Sequence, residues 1–193
     1  MSRIPRLFVI SGPSGVGKGT LVSQLRERRP ELGLTVSATT RAPRPGEIEN
    51  VSYYYLSEDE FSRLVSEDAF LEHAGNYGNR YGTLWSEVRP SLEEGRSVIL
   101  EIDVQGAINV RNVFPDAVLL FIAPPSLGEL EKRLRSRGTE SEEQVLKRLA
   151  RAKDELELAP LYDEVIVNDD LELAVDKLDA LIESYETDER TRR

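Results

Sequence analysis

Residues 7–20 read LFVISGPSGVGKGT, an apolar run that leads directly into a glycine-rich turn and a lysine. The run predicts a buried strand, and the leucine and valine spacing from Thr20 to Arg29 predicts a helix. Glycines let a turn in this position point its amide hydrogens inward, and the following helix adds its positive amino-terminal end. The spacing of the glycines and the lysine matches the Walker A pattern, so the segment predicts a site for a nucleoside triphosphate.

This phosphate loop carries one mobile positive charge and one displaced hydroxyl. Lys18 is suited to bridging β- and γ-phosphates. Gly19 stands where Ser or Thr usually follows the lysine, which leaves Thr20 as the candidate for contact with Mg²⁺, through a water molecule. The triphosphate-binding candidates of the loop are Gly12, Pro13, Ser14, Gly15, Val16, Gly17, Lys18, Gly19 and Thr20. A turn that merely links a strand to a helix is the alternative, and three glycines with a lysine disfavour it.

Composition limits the class of protein in which this loop lies. The chain has 193 residues, close to one domain of about 150 residues. Its 39% of hydrophobic residues includes no uninterrupted run of about 18, so no membrane-spanning helix is expected. The lack of cysteine excludes disulfide scaffolds, thiolate zinc sites and cysteine nucleophiles. The amino terminus has no signal-peptide pattern, and we expect a soluble, cytoplasmic protein.

Charge is distributed unevenly along the chain. The formal net charge of −10 disfavours binding to nucleic acid or to anionic membranes. Residues 127–153 nevertheless contain eight basic and five acidic side chains, a net of +3. Residues 154–189 contain fourteen acidic side chains and one lysine. A small polyanionic ligand would explain the basic segment, and so would a solvated helix of mixed charge.

Further along the chain, short apolar strands alternate with helical segments. We expect strands at 35–37, 51–56, 97–103, 118–122 and 165–167, and helices at 57–66, 87–94, 126–137, 141–158 and 171–185. This alternation predicts an α/β fold with a parallel sheet covered by helices on both faces. The tyrosine- and turn-rich stretch from about 37 to 84 breaks the alternation and indicates an insertion on that core.

The insertion contains residues that suit a phosphorylated acceptor. Arg41 and Arg44 lie three apart in a proline-containing loop, and their guanidinium groups could hold a phosphate monoester together with the hydroxyls of Tyr53 and Tyr81. Solvated loop charges are the alternative for such a pair of arginines. The phosphate chemistry alone does not identify the rest of the acceptor.

A purine base would also find partners in this part of the chain. Guanine presents two donors and one acceptor, which a carboxylate and a hydroxyl can satisfy. Glu72 supplies the carboxylate, Ser37 and Thr83 supply hydroxyls, and Asp103 could add a further acceptor. A carboxylate would discriminate against adenine, because it would be left without donors to bind it. The set is compatible with guanine and does not by itself select it.

The motifs together resemble those of the guanylate kinase family, over about residues 5–185. The stretches that carry the resemblance are GPSGVGK at 12–18, TTRAPRPGE at 39–47, GN at 75–76, YGT at 81–83, DVQG at 103–106, RGT at 137–139 and VNDD at 167–170. The resemblance implies a P-loop kinase fold and the reaction ATP + GMP = ADP + GDP with Mg²⁺, in purine nucleotide metabolism. It implies ATP and GMP as ligands, with dGMP as a further acceptor, and it implies no oligomeric state.

The resemblance also implies a role for each matching residue. GMP would be bound by Ser37, Arg41, Arg44, Tyr53, Glu72, Tyr81, Thr83 and Asp103. Besides the phosphate loop, ATP would contact Arg133, Arg137 and Asn168, the last of these near adenine. The catalytic set would be Lys18, Arg41, Arg137 and Arg148. The chain departs from the usual family pattern at Gly19, Ser52 and Glu101, and none of these changes removes a group that the chemistry requires.

The same resemblance implies a division of the chain. We expect a core formed by 5–36, 84–125 and 159–185, a GMP-binding segment at 37–83, a lid at about 126–158 and a polar tail at 186–193. We expect the acidic carboxyl-terminal helix to present a solvated face. Two other functions remain open: a guanylate-kinase-like module that binds proteins without turnover, and a kinase for another phosphate ester such as a ribose bisphosphate.

Overall fold

The structure is a computed structural model that describes residues 3–76, 78–136 and 141–187. The strands are β1 (Leu7–Ser11), β2 (Gly33–Leu34), β3 (Ala38–Thr39), β4 (Tyr54–Tyr55), β5 (Phe70–Asn76), β6 (Asn79–Leu84), β7 (Val98–Glu101), β8 (Val118–Ala123) and β9 (Glu164–Val167). The helices are α1 (Lys18–Arg28), α2 (Glu58–Ser66), α3 (Trp85–Glu93), α4 (Val104–Val113), α5 (Leu127–Ser136), α6 (Glu142–Glu157) and α7 (Leu171–Thr187). A 3₁₀ turn at Ala159–Leu161 follows α6.

Five strands form a parallel sheet in the order β2-β7-β1-β8-β9. One apolar layer packs α1 and α7 on one face, and a second packs α3 and α4 on the other. Every residue of β1 and β8 is buried, as expected for strands covered on both faces. The predicted α/β fold with a helix-covered parallel sheet is therefore confirmed.

A second, four-stranded sheet has the order β4-β3-β6-β5 and lies within the stretch that interrupts the alternation. Strands β5 and β6 pair antiparallel, and β3 joins β6 antiparallel and β4 parallel. A small aromatic cluster packs α2 against this sheet, with Phe61 and Phe70 stacked at 4.5 Å between ring centroids. The side chains of this sheet are therefore positioned by a second sheet with its own apolar cluster, and not by the five-stranded sheet.

Three local predictions differ from the structure. Residues 35–37 do not form a strand, because the chain leaves the first sheet at Leu34 and enters the second at Ala38. The predicted tyrosine strand is reduced to β4, since residues 48–52 form turns and Asn50 has a positive φ of 62°. Helix α3 begins at Trp85, two residues earlier than the sequence indicates, so Pro90 lies inside the helix.

The acidic side of α7 is also more than a solvated face. Glu186 is 2% exposed, and its carboxylate accepts from the Nη2 of Arg29 at 2.5 Å and from the Oγ of Ser97 at 2.6 Å. Asp179 accepts from the same guanidinium at 3.0 Å. These contacts fasten the end of α7 to the end of α1 and the start of β7.

In the part of the chain that the structure describes, no helix combines the length and the apolar character needed to cross a membrane.

Candidate active site

The phosphate loop connects β1 to α1, as the sequence predicts. Gly12, Gly15 and Gly17 have φ values of +145°, +89° and +97°, which side-chain-bearing residues rarely adopt. A Cβ atom on Gly12 would lie 2.2 Å from the carbonyl oxygen of Ile122 on β8, so the loop starts against the sheet itself. Helix α1 begins at Lys18, and the positive end of its dipole therefore faces the loop.

Lys18 folds back over this loop. Its Nζ donates to the carbonyl oxygens of Gly12 at 2.7 Å and Pro13 at 3.3 Å. Burial raises the pKa of the Glu101 carboxyl, which stands at the carboxyl end of β7, and the nearby Lys18 charge partly offsets this effect. The ammonium group is thus held where an anion bound by the loop would meet it.

Two side chains support the loop from behind. The amide of Asn168, 5% exposed, donates to the carbonyl oxygen of Val16 at 2.8 Å. Arg133 of α5 donates to the same oxygen at 3.4 Å. Both residues were expected to contact ATP, and in the structure both contact the loop that would bind it. Their contacts with the nucleotide stay predictions.

Next to the loop lies a cavity of about 340 Å³, large enough for a small ligand. Ten of the expected site residues line it: Gly12, Ser14, Lys18, Ser37, Arg44, Tyr53, Glu72, Tyr81, Asp103 and Arg148. The other lining residues are Ala74, Gly82, Glu101, Ile102, Arg151 and Glu155. The lining therefore joins the phosphate loop, both sheets and α6 around one space.

Ten further expected residues do not line this cavity. They are Pro13, Gly15, Val16, Gly17, Gly19, Thr20, Arg41, Thr83, Arg133 and Asn168. Arg137 lies outside the described residues, so its place in the site stays a prediction.

One end of the cavity carries a buried carboxylate. Glu72, on β5, is 7% exposed and accepts from the hydroxyl of Thr83 on the neighbouring β6 at 2.9 Å. The pKa of Glu72 is raised to about 7, mainly by burial and to a smaller extent by the charge of Asp103, while the hydrogen bond from Thr83 lowers it. A Cβ atom on Gly106 would lie 3.0 Å from the Glu72 Oε2, so a side chain at this position would crowd the carboxylate.

Asp103 is fixed at the same end by a helix cap. Its Oδ1 accepts from the amide of Gly106 at 2.8 Å, in the first turn of α4. Helix α4 was not predicted from the sequence, because its glycine and asparagine obscure the helical period. Asp103 was the available signal for the start of this helix, because Asp is a favoured residue at the N-cap position.

The arginines of the insertion have different environments. Arg44 lines the cavity, whereas Arg41 forms a paired contact with Glu47, at 2.8 Å and 3.0 Å. The Arg41 guanidinium lies 5.3 Å from the ring centroid of Tyr53, which lines the cavity. Arg41 hydrogen bonding holds the pKa of Glu47 down at about 2, so this pair is charged at all ordinary pH. The contact with Glu47 therefore holds the Arg41 guanidinium next to Tyr53, outside the cavity lining.

Helices α5 and α6 pack on each other through a small apolar cluster and bring two arginines to the cavity. The Nη1 of Arg148 lies 3.5 Å from the Oγ of Ser14 in the phosphate loop. Arg151 lies 3.4 Å from Asp103. Sequence reasoning selected Arg148 and missed Arg151, although the two lie three residues apart on the same face of α6.

The donor set suits a Mg²⁺ ion that is bound mainly by nucleotide phosphates. Glu101 and Asp103 bring carboxylates to the cavity next to the loop, and Mg²⁺ commonly uses one or two carboxylates besides phosphates and water. The position at Gly19 opens toward Glu101, whose two oxygens would both lie 3.8 Å from a Cβ there. Thr20 is exposed. Among described residues, no group of three or more acidic or histidine side chains forms a metal cage.

Comparison with known proteins connects this site to one family. A family model described as guanylate kinase matches residues 4–185. The chain belongs to the guanylate kinase family. It is 51% identical over 176 residues to the guanylate kinase of Caldanaerobacter subterraneus subsp. tengcongensis, covering 91% of this chain and 85% of that protein. It is 53% identical over 176 residues to the guanylate kinase of Synechococcus sp. (strain CC9311), covering 91% and 93%.

A solved structure of the family has the same architecture over almost the whole chain. The crystal structure of guanylate kinase from Anaplasma phagocytophilum has a TM-score of 0.81 and 33% identity, covering 97% of this chain and 89% of that one. A shikimate kinase from Bacteroides thetaiotaomicron shares the fold at a TM-score of 0.50 and 15% identity. The resemblance stated from the motifs is thus confirmed as membership of the guanylate kinase family.

Proposed function

We propose that the cavity binds GMP at its carboxylate end and receives ATP on the phosphate loop. The reaction is the ATP-dependent phosphorylation of GMP to GDP. The observation that carries this proposal is that one cavity is lined both by Lys18 of the phosphate loop and by the buried carboxylate of Glu72. A site for a triphosphate alone would have no use for that second group.

The base would be recognised by complementary hydrogen bonding. The Glu72 carboxylate accepts from N1–H and N2–H₂ of guanine, and Asp103 adds an acceptor on the same side. The Thr83 hydroxyl already donates to Glu72, so it orients the carboxylate. Ser37, which lines the cavity, is then the donor for the guanine O6. Adenine would leave the carboxylate without partners and would bind less tightly.

The acceptor phosphate would lie toward the arginines and tyrosines. Arg44, Tyr53 and Tyr81 line this part of the cavity, and Arg41 stands directly behind Tyr53. Guanidinium groups bind phosphate oxygens with charge-assisted hydrogen bonds. A phosphate monoester is itself a competent nucleophile, so the protein needs no strong general base.

We also propose 37–83 as the GMP-binding segment on a core of 5–36, 84–125 and 159–185.

Transfer then depends on alignment and charge neutralisation. Lys18 holds the donor phosphates, and Arg148, with Arg137, brings positive charge from the lid at about 126–158. Glu101, Asp103 and Thr20 are the residues that would hold Mg²⁺ together with the nucleotide phosphates, and the ion would neutralise further phosphate charge. Closing the lid only over both substrates excludes water, which would otherwise accept the phosphoryl group. We place this activity in purine nucleotide metabolism and in the cytoplasm.

A coupled assay that monitors the release of ADP tests this proposal. The acceptors GMP, dGMP, AMP, UMP and ribose bisphosphate are supplied one at a time. We expect turnover with GMP and dGMP and at least hundredfold lower kcat/KM with the others. A protein-binding module would release no ADP with any of them. Turnover with ribose bisphosphate and not with GMP would overturn the proposal.

A further inference from the structure

One residue of α6, Arg151, connects the lid to the carboxylate end of the cavity through a contact with Asp103. Arg148, Arg151 and Glu155 follow one another at spacings of three and four, which places them on one face of the helix. All three line the cavity. The proposed function uses Arg148 and leaves the role of Arg151 open.

Arg151 bridges two carboxylates that belong to different parts of the molecule. Its Nε donates to the Oε1 of Glu155, one turn further along α6, at 2.8 Å. Its Nη2 lies 3.4 Å from the Oδ2 of Asp103, which follows β7 in the core. The contact within the helix is shorter than the contact to the core, so Glu155 retains the guanidinium more firmly than Asp103 does.

The two oxygens of Asp103 have different partners among the described residues. Its Oδ1 caps α4 through the amide of Gly106, and its Oδ2 is the atom that meets Arg151. If guanine donates to Asp103, the base and Arg151 compete for the same oxygen. Binding of the acceptor therefore changes what holds Arg151.

Resting on the proposed function, we propose that Arg151 is a further lid cation that Asp103 holds until GMP binds. Guanine takes the Asp103 Oδ2, Arg151 leaves it while still paired with Glu155, and the guanidinium becomes available to the phosphates near Lys18. The exchange forms and breaks ion pairs and hydrogen bonds only. The exchange links recognition of the base to the delivery of positive charge. This link would prevent transfer of the phosphoryl group to water when GMP is absent.

Substitution of Arg151 should separate turnover from acceptor binding. We expect Arg151→Gln to lower kcat with GMP at least tenfold, while the Kd for GMP measured without ATP stays equal to wild type or falls. The matched control is Lys153→Gln, which removes an exposed charge from the same helix and should change neither quantity by more than about twofold. Unchanged kcat, or a Kd for GMP weakened by tenfold, would overturn the proposal.

A second pair of variants tests the exchange without relying on turnover of GMP. Asp103→Asn releases Arg151 in the absence of GMP, so we expect hydrolysis of ATP alone to rise at least threefold. The double variant with Arg151→Gln should lose that rise. Hydrolysis equal to wild type in Asp103→Asn, or an equal rise in the double variant, contradicts the exchange. Thermal unfolding of each variant identifies misfolded protein, and failure of the wild type to phosphorylate GMP would instead refute the proposed function.

Discussion

Lowering the pH should weaken GMP binding through Glu72, a carboxyl that must be ionised to accept from guanine. Its pKa is raised from 4.5 to about 7 by burial, with Asp103 adding to the effect. A carboxyl with a pKa of about 7 is about ten-elevenths ionised at pH 8 and about one-eleventh ionised at pH 6. If GMP binds only the ionised form, its Kd rises about tenfold between these values.

The same shift predicts the pH dependence of stability in the ligand-free protein. The pKa of Glu72 is higher in the folded state, so its contribution is fully present below pH 4.5 and is lost as the pH rises through 7. The difference of about 2.5 units corresponds to about 3 kcal/mol. GMP should therefore raise the melting temperature more at pH 8 than at pH 6, because the ligand removes the cost of the buried charge.

Isothermal titration calorimetry with GMP, without ATP, tests this prediction at pH 6, 7 and 8. The GMP phosphate also titrates, with a pKa of about 6, so the matched control is Glu72→Gln, which keeps that contribution and lacks the carboxyl. We expect the wild-type ratio of Kd at pH 6 to Kd at pH 8 to exceed the variant ratio about tenfold. At pH 7 the wild type should release about half a proton more than the variant. Equal ratios in the two proteins would refute the assignment of Glu72.

Three further substitutions test separate parts of the molecule. We expect Arg41→Met to raise the KM for GMP tenfold or more and to lower kcat, with ATP binding intact, since a hydrogen bond to a charged group contributes about 1.5–3 kcal/mol; unchanged GMP kinetics would contradict this. Gly106→Ala should raise the KM for GMP about fivefold, the loss of about 1 kcal/mol, because its Cβ would crowd the base-binding carboxylate at 3.0 Å; an equal change in the KM for ATP would contradict that cause. Arg29→Met removes the shorter of two arginine contacts to the buried Glu186, leaving Arg3 at 3.7 Å, and should cost about 3 kcal/mol, or about 10 °C in melting temperature. The exposed pair at Arg63 is its control, and equal losses from Arg63→Met would show that burial is not the cause.

The parts of the fold with strong local signals were predictable from the sequence. The strands β1 and β8 and the helices α2 and α6 were predicted to within about two residues, and in the structure capping boxes at Ser57 and Ser141 begin the two helices. The short strands β2, β3 and β4 have two residues each, and pairing with distant neighbours defines them. No local pattern indicates such pairing. The helix α4 was missed for a related reason, since its packing on β5 overrides a weak helical period.

The site was predictable where a residue's chemistry is visible in a motif. The phosphate loop belongs to this class as a contiguous pattern. Glu72 belongs to it because its carboxylate suits guanine and the family resemblance supports that role. Arg151 and Glu155 do not belong to it. They reach the cavity only because α6 passes over Asp103, and that depends on the path of the whole lid.

The pairing of β1 with β7 explains why donor and acceptor groups meet in one cavity. The two strands are parallel neighbours, with Ile10 opposite Glu101. The phosphate loop follows β1 at that level, and Asp103 follows β7 two residues beyond it. Because carboxyl ends of adjacent parallel strands meet at one edge, the strand pair fixes the distance between the triphosphate and the base of the acceptor. A shift of β7 by one residue against β1 would turn the side chains of β7 to the opposite face, so specificity for the base and alignment for transfer depend on the same set of hydrogen bonds.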